Sequence, residues 1–265
     1  MDRDLLDISG KRVLLVGATG VLGRAFATEL VGRGASLVLA DRPDSDVIAF
    51  SERIGRAAKA VVFDLRDEAS VVAGVERAGD MLGGFDAVVN NAAITSEGLL
   101  RAGDASAPFE SYPTDVFRQS LEVNLVGTFL VAREAGRQMK DAGDGGTLVN
   151  ISSVYGIVAP DQRIYHGLTL SSPPGYAASK AGVIGLTRWL ASWWGDSGIR
   201  VNCIVPGGVF NDHDDRFAEA YGNRVPLGRM AKREELTGML VYLVSDASSY
   251  CTGQSFVVDG GLTAW

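Results

Sequence analysis

The chain has 265 residues, 46% of them hydrophobic and 22% charged, a balance that excludes a disordered polymer, and its 33 glycines show no three-residue period, which excludes collagen. With 32 acidic against 25 basic residues the net charge is −7, so a nucleic-acid partner is not expected. Two cysteines, Cys203 and Cys251, cannot build a disulfide framework, the acidic start Met1-Asp2-Arg3-Asp4-Leu5-Leu6-Asp7 does not read as a signal peptide, and no uncharged apolar run approaches about 18 residues; a soluble cytoplasmic protein without a membrane span is expected.

In chain order, short β-branched runs alternate with helix-period stretches. Strands are predicted at Arg12–Val16, Ser36–Ala40, Ala60–Phe63, Ala87–Val89, Thr147–Ile151, Arg200–Val205 and Ser255–Val258. Helices are predicted near 22–33, 46–58, 68–78, 115–140, 175–195 and 233–245. Continuously apolar strands separated by helices imply a doubly wound α/β domain, a parallel sheet of about seven strands covered on both faces. No linker, repeat or low-complexity tract divides the sequence, so 1–265 reads as one domain. Thr95–Pro113 and Pro160–Pro174 look irregular, and the second is long for a connection.

The first strand runs into Gly17-Ala18-Thr19-Gly20-Val21-Leu22-Gly23 and then a helix. Glycine lets the backbone turn tightly and approach a pyrophosphate, and a helix N-terminus offers free N–H groups there. Gly17, Thr19, Gly20, Val21, Leu22 and Gly23 are therefore candidate dinucleotide contacts. Asp41 closes the second strand, 18 residues beyond Gly23, where a carboxylate can accept from the adenosine ribose hydroxyls and repel a 2′-phosphate. A turn Asp before Arg42-Pro43 is the plainer alternative, and Arg42 could itself pair with a phosphate. With no basic residue inside the glycine loop, NAD is expected over NADP.

Tyr176-Ala177-Ala178-Ser179-Lys180 opens a helix and puts Tyr176 and Lys180 one turn apart on one face. A phenol titrates near 10, and a neighbouring ammonium favours its ionised form, so Tyr176 is a credible acid/base for interconverting alcohol and carbonyl.

These features resemble the short-chain dehydrogenase/reductase family, in its short, single-domain branch. The resemblance runs nearly end to end, through the glycine loop, Asp64-Leu65, Asn90-Asn91-Ala92-Ala93, Asn124, Ile151-Ser152-Ser153, Tyr176/Lys180, Pro206-Gly207-Gly208-Val209 and Val257-Val258-Asp259-Gly260-Gly261. It implies a catalytic Asn124, Ser153, Tyr176 and Lys180 around a nicotinamide. Ser153 would orient the substrate oxygen, Tyr176 transfer the proton, Lys180 hold the ribose and lower the Tyr176 pKa, and Asn124 position a water. Further cofactor contacts would come from Asp64, Leu65, Asn91, Ala92, Ala93, Pro206, Gly207 and Val209. Members commonly pair through the helix that carries the tyrosine, so a dimer or tetramer is expected, with Trp189 and Trp193 as core or interface residues.

The chain departs from the family pattern in three places. The loop is G-x-x-G-x-x-G, as in a longer epimerase and dehydratase branch with an added substrate domain; the ending soon after Asp259-Gly260-Gly261 favours the short branch. Asn211 stands where a threonine usually follows the Pro-Gly motif. Ser153 and Tyr176 are 23 residues apart, longer than usual, and the excess begins at Pro160-Asp161-Gln162-Arg163-Ile164-Tyr165-His166. That insertion is expected over the nicotinamide, with Tyr155, Arg163 and His166 joining Ser153 and Tyr176 as substrate contacts; a solvated loop is the plainer reading of His166. The polar insertion favours a sugar, polyol or phosphorylated substrate, and stretches such as Ser153-Val154-Tyr155-Gly156 resemble members associated with surface-sugar biosynthesis. A 3-oxoacyl thioester reductase and a non-catalytic NAD-sensing regulator are the alternatives. Two histidines and two distant cysteines suggest no metal site.

Overall fold

The structure is a computed structural model that describes residues 4–95, 98–99, 107–168 and 171–265; parts of the two irregular stretches, Thr95–Pro113 and Pro160–Pro174, lie outside them. Seven parallel strands form one sheet: β1 (Arg12–Val16), β2 (Ser36–Asp41), β3 (Ala58–Val62), β4 (Ala87–Asn90), β5 (Gly146–Ile151), β6 (Ile199–Pro206) and β7 (Ser255–Val258), in the order β3-β2-β1-β4-β5-β6-β7. The central strands have both faces covered, so Val13, Leu14 and Leu15 are wholly buried. Full burial of such side chains stabilises the fold by about 1.5–3 kcal/mol each.

Helices α1 (Val21–Gly32) and α2 (Val47–Ile54) cover one face together with α8 (Thr237–Val244), through Phe26, Leu30, Phe50 and Leu240. The other face is covered by α3 (Glu68–Leu82), α5 (Gly127–Ala142) and α6 (Pro174–Trp194), through Val71, Val75, Leu130, Leu190 and Trp194. Local chemistry sets several ends. Asp67 caps α3 by accepting from the Ala69 and Ser70 amides, and Pro174 begins α6, where a missing N–H costs nothing.

Several strand ends move by one or two residues, β3 from Ala60–Phe63 to Ala58–Val62 among them, the helix expected near 68–78 runs on to Leu82, and the helices depart further from the prediction elsewhere. The long helix expected over 115–140 is α4 (Thr114–Leu121), a π turn over Glu122–Val126, and then α5. The helix expected over 46–58 stops at Ile54, because Gly55 has φ +111°. A 3₁₀ turn at Arg233–Leu236 precedes α8, and an unpredicted helix, α7, spans Asp215–Gly222.

Register gathers the functional ends. Val16 sits opposite Ala40 on β2 and Asn90 on β4, so Gly17, Asp41 and Asn91 emerge together at the C-terminal edge. The chain reverses direction across the sheet between β1 and β4, the position where open α/β sheets bind ligands.

Candidate active site

The glycine loop is fixed by backbone crowding. Gly17 has φ +78°, and a Cβ there would lie 2.5 Å from the Ala92 backbone; a Cβ on Gly23 would lie 2.1 Å from the Gly17 oxygen. Neither position tolerates a side chain. A Cβ on Gly20 would meet only that same oxygen, at 3.6 Å, so its lack of a side chain leaves room beside the first turn of α1. Asn91 donates to the Gly17 carbonyl at 2.8 Å and ties the loop to β4. One Asp41 oxygen accepts from the Thr19 amide at 2.8 Å and hydroxyl at 2.7 Å, while the other accepts from the Arg42 amide. A loop closed by Cβ-intolerant glycines at a helix N-terminus fits a dinucleotide pyrophosphate.

Around this loop, the Arg42 side chain is exposed and paired with Asp44, and Arg24 is held by the Thr19 carbonyl and Asp46. Asp64 accepts a forked pair of bonds from Arg66, which holds its carboxyl below the usual range against the opposing effect of burial. Leu65 packs over Gly127, and Ala92 over Gly17, while Ala93 is exposed. Val21, Leu22, Pro206, Gly207 and Val209 line a cavity of about 320 Å³ that opens beside the loop.

Ser153 and Tyr176 line the same cavity. Burial pushes the Tyr176 phenol upward, and a hydrogen bond with Ser153 partly opposes this. Lys180 lies beneath, its ammonium 5.7 Å from the Tyr176 ring centre and donating to the Ile151 carbonyl at 2.8 Å. Burial brings Lys180 down to about 8. The lowering of Tyr176 by Lys180 that the resemblance implies is therefore not what the structure presents: the ammonium is itself desolvated and turned to a carbonyl, and burial of the phenol dominates. The two adjacent serines divide their work. Ser152 donates to the Lys180 carbonyl at 2.7 Å, whereas Ser153 faces the cavity.

Asn124 sits wholly buried in the π turn. Its side chain accepts from the Ile94 amide at 2.7 Å and donates to the Ile94 carbonyl and to Ser179 Oγ at 3.1 Å. Ser179, buried and unremarked in the sequence, in turn donates its hydroxyl to the Tyr176 backbone carbonyl at 2.8 Å. Asn124 is thereby linked through Ser179 to the first turn of α6; both of its amide protons and one lone pair of its amide oxygen are taken by protein partners. Only the family's pattern, not the type of residue, could have singled it out.

The remaining wall joins the irregular Pro160–Pro174 stretch to the unpredicted helix α7. A 3₁₀ turn at Gln162–Tyr165 meets α7, with Tyr165 and Phe217 rings 5.4 Å apart and Arg224 paired with Asp161. Tyr155, Tyr165, His213, Phe217 and Tyr221 supply aromatic faces to the cavity. Asn211 also lines it, and its amide donates to His213 Nδ1 at 3.1 Å. The expected substrate contacts Arg163 and His166 are not brought there. Arg163 is 81% exposed at its side chain and bonded to Asp161, and His166 is exposed. The 3₁₀ turn places Tyr165, between them, inward instead. Period-free polar sequence gave no signal for that choice.

Among the described residues no His/Cys/Asp/Glu group could hold a metal, and no helix is long and apolar enough to cross a membrane.

The family model described as enoyl-(acyl carrier protein) reductase matches residues 17–263. The chain is 35% identical to a 2,5-dichloro-2,5-cyclohexadiene-1,4-diol dehydrogenase of Sphingobium indicum, over 97% of this chain and 99% of that one. It is 36% identical to a 3-alpha-(or 20-beta)-hydroxysteroid dehydrogenase of Mycobacterium bovis, over 96% and 90%. A short-chain type dehydrogenase/reductase from Mycobacterium marinum superposes with a TM-score of 0.86 at 32% identity, covering 99% and 98%. The chain belongs to the short-chain dehydrogenase/reductase family. It is an oxidoreductase of CH–OH groups that works with a nicotinamide cofactor, and its seven-stranded parallel sheet is the family's Rossmann-type fold.

Proposed function

We propose that this enzyme interconverts a secondary alcohol and a ketone on a small hydroxylated compound, a sugar, polyol or derivative, with NAD(H). The observation that carries the reading is that Ser153 and Tyr176 line one cavity, their side chains close enough for the serine to oppose the upward push of burial on the phenol, with Lys180 buried one helical turn away. Ser153 and the Tyr176 phenol hold the reacting oxygen. Tyr176, raised by burial and so protonated at neutral pH, donates its phenolic proton when a ketone is reduced and must release it first when an alcohol is oxidised. The nicotinamide, when bound, supplies hydride acceptance and return. Gly17, Thr19, Gly20, Asn91 and the Pro206–Val209 segment are the residues that would hold it.

NAD is favoured by Asp41, whose carboxylate stands against Thr19 at the β2 end and opposes a 2′-phosphate, and by the pairing of Arg42 and Arg24 with carboxylates. A cytoplasmic setting fits two free cysteines. A homodimer or tetramer fits the exposed, stacked Trp189 and Trp193 on α6, 5.2 Å apart.

The test is NADH absorbance across a panel of polyols and sugars, followed by Tyr176→Phe. This variant keeps the ring and should lower kcat by about 10²–10⁴-fold with cofactor affinity little changed. Near-normal turnover would reject the assignment. Calorimetry should find NAD bound more tightly than NADP, with Asp41→Ala narrowing the gap; tighter NADP binding to the unmutated enzyme would reverse the cofactor preference.

A further inference from the structure

The cavity carries a second polar centre besides Ser153 and Tyr176. The Tyr155 and Tyr165 hydroxyls meet at 3.0 Å, and both rings line the cavity. Ser172 lines it too. Its hydroxyl lies close enough to Tyr165 to favour the ionised phenol, yet Ser172 Oγ is buried and has no partner at bonding distance among the described residues. A buried hydroxyl left unpaired is costly, so a ligand entering the cavity that Ser172 lines can satisfy it.

Hydrogen-bond counting defines that ligand. Two phenols bonded to each other retain one free proton and spare lone pairs, and Ser172 adds one more proton. A hydroxyl, with one proton and two lone pairs, matches this set. Burial raises both phenols well above their ordinary value, so the pair is neutral throughout the working pH range. Among the described residues lining the cavity there is no carboxylate, ammonium or guanidinium, and the one imidazole, His213, accepts the Asn211 backbone amide at Nδ1 and so is not an imidazolium in this arrangement. The nearest cation acting on this wall, Arg224, is held by Asp161. A carboxylate or phosphate brought here would lose its water without gaining a counter-charge, whereas the flat C–H faces of a saturated or partly unsaturated ring can lie against Tyr155, Phe217 and Tyr221.

We propose that the enzyme selects a neutral ring alcohol bearing a second hydroxyl, and that Tyr155, Tyr165 and Ser172 bind this second, non-reacting hydroxyl. Tyr165 comes from the insertion, so the extra chain length contributes a phenol rather than the cation that the sequence suggested. The inference rests on the reading of Ser153 and Tyr176 as the reacting end. It narrows the substrate to uncharged polyols and sugars and excludes phosphorylated and acidic ones.

The experiment compares kcat/KM with NAD for cyclohexanol, the cyclohexane-1,2-, 1,3- and 1,4-diols, and 4-hydroxycyclohexanecarboxylate, and measures binding of the diols to the NAD-loaded enzyme by calorimetry. The best diol should exceed cyclohexanol by on the order of tenfold, and the carboxylate should be the poorest. Tyr165→Phe, which removes one oxygen, and Ser172→Ala should each shrink the diol-to-cyclohexanol ratio several-fold. A ratio near one in the unmutated enzyme, a carboxylate used as well as the best diol, or a ratio untouched in both variants would overturn the proposal. Turnover of cyclohexanol without diol preference sinks this inference and leaves the oxidoreductase reading intact. Diol binding that depends on Tyr165, without turnover of any alcohol, does the reverse. Absence of both binding and turnover for every diol also overturns the inference.

Discussion

The two halves of the active site are built by different means. On the cofactor side, the β1–α1 loop is held by main-chain contacts: Gly17 against Ala92, Gly23 against the Gly17 carbonyl, Asn91 and Asp41 bonding the loop from neighbouring strands. Few alternatives fit such a space, so the residue type at each position is dictated. On the substrate side, the wall is a contact between a 3₁₀ turn and α7, made by side chains such as Tyr165, Phe217 and Tyr221. Many apolar combinations could fill that contact, which lets specificity vary while the catalytic pair stays fixed. A rigid backbone cradle and an exchangeable side-chain wall divide the labour of binding a common cofactor and a particular substrate.

The sharpest way to break this contrast is within the loop. Gly23→Ala places a methyl 2.1 Å from the Gly17 oxygen and 2.8 Å from Ala18 backbone atoms, none of which can move without opening the β1–α1 turn. Loss of about 3 kcal/mol or more is expected, read as a large drop in the denaturant midpoint. Gly20→Ala meets nothing closer than 3.6 Å and has an ordinary φ of −68°, so stability should stay within about 0.5 kcal/mol while NAD affinity falls. Equal stability losses in the two variants would show that the loop glycines serve the fold alone.

Lys180 stands between the two halves, and its burial has a thermodynamic consequence. The group sits at about 8 in the folded protein against 10.5 ordinarily, so between those values the unfolded chain holds more protons. Stability contributed by this residue therefore rises with pH across that window and is lowest below it. Lys180→Met removes the buried ammonium and gives up the bond to the Ile151 carbonyl. The net expectation is a gain of roughly 1–3 kcal/mol at pH 7 that closes as pH approaches 10.5, with activity lost. Urea unfolding at both pH values checks it; a variant less stable than the parent at pH 7 would mean that the ammonium is better solvated than its burial indicates.

The same division explains what could be read from the sequence. The strands were legible because central parallel strands are apolar throughout, as in Val13–Val16, and the glycine loop because steric necessity leaves a fixed pattern. The break in the helix around Asn124 was not, since no glycine or proline marks Glu122–Val126; in the structure Asn124 within the π turn bonds Ile94 and Ser179. Ser179, within Tyr176-Ala177-Ala178-Ser179-Lys180, carries no signal of its own in the sequence. In the insertion, one polar run hid an inward tyrosine between the outward Arg163 and His166, because a 3₁₀ turn of four residues is too short for periodicity to show which side faces in.

The smallest expected effect is the most direct check on that last point. Arg163 spends its guanidinium on Asp161 at the surface, and His166 is exposed beyond the end of the turn. An exposed ion pair contributes about 0–1 kcal/mol, and Asp161 keeps Arg224 as a partner when Arg163 is removed, so the turn stays anchored to α7. The double variant Arg163→Ala/His166→Ala should therefore change stability by under about 1 kcal/mol and leave KM and kcat for the best substrate within about twofold. Steady-state kinetics decide it. A KM raised several-fold with NAD affinity intact would mean that Arg163 or His166 reaches the substrate when it binds, and the substrate wall would then be a closing flap with polar groups of its own rather than the neutral aromatic surface that Tyr155, Tyr165 and Phe217 form.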